Sequence, residues 1–115
     1  MPIQSPYVFI ASMDVDDAHD ALFNEVYDSE HVPLLLRVPG VRSVTRLTAQ
    51  PFDFSVGGGV QHIVPDGPRY AALYELDAAA VLTSPEWARA VDSGRWPTEV
   101  RPYTLNRRHM LLGLR

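Results

Sequence analysis

The stretch NEVYDSEHVPLLLRVPGVRSVTRLT, residues 24–48, decides the fold. It opens inside a helical pattern that starts near Asp17. In that pattern Ala18, Ala21, Leu22, Phe23, Val26 and Tyr27 form a broad apolar face, while Asp20, Asn24, Glu25 and Asp28 lie mostly elsewhere. Pro33 then intervenes. Proline disfavours helical geometry at the residue before it and has no N–H for the ladder. The first helix is therefore expected to fray near His31, with a short second helix from Pro33 to about Val38. Pro39-Gly40 closes the segment. From Val41 to Thr48 the residues alternate, with Val41, Ser43, Thr45 and Leu47 on one side, which reads as a strand.

The flanks supply the other elements. Tyr7–Met13 is apolar and β-prone, a buried strand. Asp14, Asp16 and Asp17 after it suit a helix start. Residues 51–68 hold three prolines and four glycines and read as a long loop. Arg69–Leu76 is a strand. Asp77 is placed to cap a short turn over Ala78–Leu82. Ser84-Pro85-Glu86-Trp87 starts a helix, Ser as cap and Pro in the first turn, and Gly94 stops it. Tyr103–Leu114 is a long last strand.

The order β-α-β-β-α-β predicts an α+β protein. The expected architecture is a ferredoxin-like sandwich, a four-stranded antiparallel sheet with helices on one face. The last strand carries large residues on both sides, Tyr103, Leu105 and Leu111 on one and Met110, Leu112 and Leu114 on the other. A bare apolar sheet face predicts a homodimer that pairs two such faces around a barrel-like centre.

At 115 residues the chain reads as a single domain spanning residues 1–115. It has no cysteine, which removes disulfides, thiol nucleophiles and thiolate metal sites. Its ten cationic side chains are all arginine, which removes Schiff-base lysines and a P-loop lysine. A net charge of −4 argues against nucleic acid as partner. No apolar run approaches the roughly 20 residues of a membrane span. The start, MPIQSPYVF, lacks the basic region of a signal peptide, so a cytoplasmic location is the default expectation.

YDSEHVPLLLRVPGVRSVTR (27–46), RYAALYELD (69–77) and SPEW (84–87) together resemble the EthD-like branch of the dimeric α+β barrel superfamily. The acid-x-x-His-x-Pro segment is the most specific part. The resemblance implies a ferredoxin-like protomer, a homodimer, and a small cavity between sheet and helices. The superfamily includes cofactor-free oxygenases, lactone isomerases, polyketide cyclases, dehydratases and haem enzymes.

His31 and Tyr27 are the candidate catalytic pair. They lie four residues apart on one helical face. A helix C-terminus favours the imidazolium and burial disfavours it, and these opposing effects can leave the group near neutrality, where acid/base work is most effective. Arg46, Arg107 and Arg108 are candidates for binding a carboxylate or enolate in bidentate fashion. Arg107 shares a strand face with Tyr103 and His109, whereas Arg108 faces the other way. Tyr74 and Trp87 are candidates to line a pocket for a planar ligand. The four histidines show no metal spacing, so neither metal nor cofactor is expected. Three functions fit: a cofactor-free enzyme moving a proton on an aromatic, polyketide-like or lactone-type substrate; a non-catalytic small-molecule-binding dimer; and a haem-handling protein on the same scaffold.

Overall fold

The structure, a computed structural model describing residues 3–115, contains strands β1 (Tyr7–Val15), β2 (Val41–Thr48), β3 (Phe52–Val56), β4 (Gly59–Ile63), β5 (Tyr70–Leu76) and β6 (Thr104–Gly113). Its α-helices are α1 (Asp20–Val26), α2 (Val32–Leu36) and α3 (Pro85–Val91). Strands β2, β5, β1 and β6 form one antiparallel sheet in that spatial order, and β3 pairs only with β4. The helices cover one face of the sheet. This is the ferredoxin-like α+β architecture.

Strand β5 shows why one face is covered. Tyr70, Ala72, Tyr74 and Leu76 alternate inward and are buried, while Ala71, Leu73 and Glu75 point to the other side. Phe23 and Val26 of α1, Leu35 of α2 and Val100 meet them with no accessible surface at all. Burial of each such side chain contributes about 1.5–3 kcal/mol. Helix starts follow local chemistry. The Asp16 carboxylate accepts from the His19 N–H at 2.9 Å, and the Ser84 hydroxyl accepts from the Trp87 N–H at 3.2 Å with Pro85 behind it. The turn at Ala79–Thr83 forms without an Asp77 cap; Asp77 pairs instead with Arg42.

Two local expectations are corrected. The chain does not fray at His31. It stays helical from Asp17 to Leu36, widening into a π turn over Tyr27–His31 in which the Val32 N–H donates to the Tyr27 carbonyl. The wider turn makes room for the Pro33 ring and absorbs its missing N–H. Residues 51–68 are not one loop. Gly57 and Gly58, both at positive φ (61° and 82°), close a two-residue hairpin turn between β3 and β4.

The sheet face away from the helices is open. Val8, Ile10, Leu73, Leu47, Met110 and Leu112 share it by register, and Leu47, Met110 and Leu112 are 45–50% exposed. Among the described residues, no helix is long and apolar enough to cross a membrane.

Gly94 joins the two halves of the helical layer. Its φ is +69°, and a Cβ there would stand 2.6 Å from a Glu30 carboxylate oxygen. Gly94→Ala is therefore expected to lower stability by about 1–2 kcal/mol in urea unfolding. An unchanged midpoint would show that the left-handed turn is not required.

Candidate active site

A cleft of about 210 Å³ lies between the sheet and the helical layer. Phe9, Ala11 and Met13 of β1, Tyr74 of β5, and Arg107 and His109 of β6 form its floor. Tyr27 and His31 of the first π turn, Trp87 and Val91 of α3, and Trp96 and Arg101 form its roof.

The roof is built from two matching turns. A second π turn spans Trp96–Val100, with the Arg101 N–H donating to the Trp96 carbonyl and Pro102 following. Each π turn thus ends just before an X-Pro step. The imidazole of His31 stacks on the Trp96 indole, centroids 4.1 Å apart and planes 17° from parallel. It meets the Tyr27 ring edge-on at 4.9 Å. Glu30, next to His31, accepts from the Arg95 backbone N–H at 2.9 Å and from the Arg95 guanidinium. The same bonds, the backbone N–H first, hold its carboxyl below the usual range.

His31 is only 5% exposed, and its Nδ1 is buried without a hydrogen-bond partner. Burial, aided by the charge of Arg101, pushes its pKa down to about 4. At neutral pH the ring is uncharged, with one nitrogen free to accept or donate. A buried polar atom with no partner is a defect unless something else satisfies it.

Beside it, the hydroxyls of Tyr27 and Tyr74 are 2.6 Å apart. Either can donate to the other, which leaves one O–H proton unused. Burial drives Tyr27 up to about 12 and raises Tyr74 as well, so both are protonated at neutral pH.

The structure gathers His31, Tyr27, Tyr74, Trp87 and Arg107 around one cleft. Arg107 is held at its rim by bonds to the Thr104 hydroxyl and the Arg101 carbonyl. Arg46 and Arg108 are not among the lining residues. The guanidinium of Arg46 lies 4.6 Å over the Tyr27 ring and bonds Asp28 at 3.0 Å, a cation behind the tyrosine pair. Arg108 borders a neighbouring polar depression with Asp14, Asp66 and Asn106. His62 sits on the hairpin, paired with Asp53. Among the described residues, no group of three or more His, Cys, Asp or Glu side chains is placed to hold a metal ion.

Sequence reasoning did not place Trp96 and Arg101 over His31. A signal was present. Tyr27-Asp-Ser-Glu-His-Val-Pro33 and Trp96-Pro-Thr-Glu-Val-Arg-Pro102 share the pattern aromatic-x-Ser/Thr-Glu-x-x-Pro. Both copies fold as π turns.

Two measurements check this geometry. The unfolded chain protonates His31 near the ordinary histidine value of about 6.5, and the folded chain protonates it near 4. Its contribution to stability is thus full above about pH 6.5 and is lost as pH falls toward 4, by about 3 kcal/mol. His31→Gln should flatten the stability–pH curve in that window; an unchanged curve would contradict burial of a neutral ring. Tyr27→Phe and Tyr74→Phe should each cost about 1–3 kcal/mol by stranding the partner hydroxyl. The double variant should cost less than the two together. Strict additivity would show that the hydroxyls are not paired.

No protein-family profile and no curated protein sequence matches the chain. Among solved structures, it is similar to a mutant of SnoaB from Streptomyces nogalater, described as a cofactor-independent oxygenase. The identity is 18%, the match covers 95% of this chain and 92% of that one, and the TM-score is 0.59. At that identity the likeness establishes the fold, which is shared over nearly the whole of both chains.

Proposed function

We propose that this chain is a small enzyme working without a cofactor, on the EthD-like branch of the dimeric α+β barrels. It moves one proton on an aromatic, polyketide-like or lactone-type substrate held in the His31 cleft. The observation that carries the reading is the buried, uncharged His31 with an unpartnered Nδ1 in an aromatic cleft. A substrate O–H or acidic C–H would satisfy that nitrogen.

The roles follow from the surroundings. Trp96, Trp87 and Phe9 offer faces and edges for a planar ring. The spare hydroxyl proton of the Tyr27–Tyr74 pair donates to a substrate oxygen as negative charge gathers there. Arg101 and Arg107 line the same cleft and stabilise that charge. An imidazole with a pKa near 4 is a weak base on its own. Proton removal creates an anion beside it, and that anion raises the basicity of His31 as the transfer proceeds. The fold likeness supports the reading because a cofactor-independent oxygenase uses the same scaffold. The working form is a homodimer through the open sheet face.

The test uses 2-tetralone, whose C1 hydrogens are both benzylic and α to a carbonyl. The protein in D₂O should accelerate deuterium exchange at C1, followed by proton NMR. His31→Ala should lower the rate about 10²- to 10⁴-fold while leaving 2-tetralone binding in place. The rate should stay flat as pH drops from 7 to 5, because His31 remains unprotonated there. Exchange unaffected by His31→Ala would sink the reading. Binding without exchange in the unsubstituted protein would leave a non-catalytic binder, and a Soret shift with haemin that depends on His31 would indicate haem handling.

A further inference from the structure

The β3–β4 hairpin stands apart from the rest of the protomer. Its two strands pair with each other and join neither the main sheet nor its core. A lone two-stranded hairpin is marginally stable in water. This one is also amphipathic. Phe52, Phe54 and Val56 point to one side, and Ile63 joins them by pairing with Phe52. Those first three are 53%, 43% and 47% exposed. The opposite side carries Asp53 and His62, which pair with each other.

A second element is equally unfinished. Strand β6 is an edge strand, exposed along nearly its whole length, with Leu105, Met110, Leu111 and Leu112 bare. Such an edge invites pairing unless it is covered. Arg107 and His109 lie on it and line the cleft, so the cleft runs out to the edge of the sheet. Among the described residues, no strand lies beyond β6 in the sheet.

The dimensions say how much is missing. A 12.8 kDa monomer is expected to expose about 6,300 Å². The protomer exposes 7135 Å². The surplus of about 850 Å² is close to the ~800 Å² that one partner contributes to a standard interface. The radius of gyration is 15.8 Å, against about 13.4 Å for a compact chain of this length.

We propose that the hairpin is an arm that clasps a second copy of this chain, laying Phe52, Phe54 and Val56 against the β6 edge of that copy and walling its cleft there. Topology supports this occupant. The arm continues from β2, the edge strand opposite β6. A two-fold axis between two open faces, parallel to the strands, sets the β2 edge of each copy against the β6 edge of the other. It also preserves position along the strands. The arm leaves the sheet where Thr48 pairs with Tyr70, and Met13 of β1 also pairs with Tyr70. At that end β1 meets β6 near Leu105. The arm of one copy thus arrives beside Arg107 of the other. The clasp rests on surface and topology rather than on the chemistry of His31, so its failure and loss of proton transfer are separately visible.

The experiment places the photoreactive residue p-benzoylphenylalanine at Phe54 and mixes isotopically light and heavy copies of the full chain. Irradiation should give cross-links between copies, in the peptide carrying residues 104–114. Cross-links confined to one chain, or to another region of the second copy, would overturn the clasp. Phe52→Ser with Phe54→Ser, which alters only exposed positions of the protomer, should keep the circular dichroism spectrum. It should raise the dimer dissociation constant in sedimentation about 10- to 100-fold. An unchanged constant, or an unsubstituted protein that is monomeric at micromolar concentration, would overturn it as well.

Discussion

The stack of His31 on Trp96 is the contact on which the site depends. It exists because two helical segments widen at the same level and face each other. Each widening precedes a proline that can neither donate an N–H nor tolerate a close carbonyl one turn back. In a straight α-helix that conflict would kink or end the run. Here the Val32 and Arg101 N–H groups reach back five residues, to Tyr27 and Trp96, and the helical path continues. The Glu30–Arg95 contacts fasten the two turns where the rings meet. An aromatic ring and an imidazole are thereby brought face to face from segments 65 residues apart in sequence.

That constraint sets the electrostatics. Packed against Trp96 and Tyr27, the His31 ring loses water and with it the capacity to hold a charge. Arg101 acts in the same direction. The tyrosine pair is also stripped of water, and its cation, Arg46, stands behind Tyr27 rather than in the cleft. The cleft therefore has neutral hydrogen-bonding groups at its centre and cations at its margin. Such a distribution suits a neutral ligand at the centre and negative charge at the margin.

Much of this was legible in the sequence. The strand Val41–Thr48 and the Ser84-Pro85 helix start are local signals with local causes, and both hold. Helical spacing puts Tyr27 and His31 together, and they meet edge-on in the structure. The expected break at Pro33 does not occur, because the helical path widens into a π turn and continues. The hairpin was missed although Gly57-Gly58 between alternating strands marks a type I′ turn; the surrounding prolines masked it. Alternation puts Arg107 and Arg108 on opposite faces of the last strand but does not say which face carries the cleft, and the sequence does not say where Arg46 points. A bulge separates the pairs Ser12–Arg108 and Asp14–Leu105, where Asn106 takes a positive φ of 55°. The partnership of Trp96 with His31 joins positions far apart in the chain, and helical spacing does not reveal it.

The central claim is that the free nitrogen of His31 is the point at which a ligand is met. A crystal structure with a planar phenolic compound such as 2-naphthol bound tests it most directly. The account predicts the ring lying in the cleft beside Trp96, with its oxygen within about 3 Å of the imidazole or of the Tyr27–Tyr74 hydroxyls. A ligand seated instead in the depression beside Asp14 and Arg108, with the His31 Nδ1 still unpartnered, would contradict it.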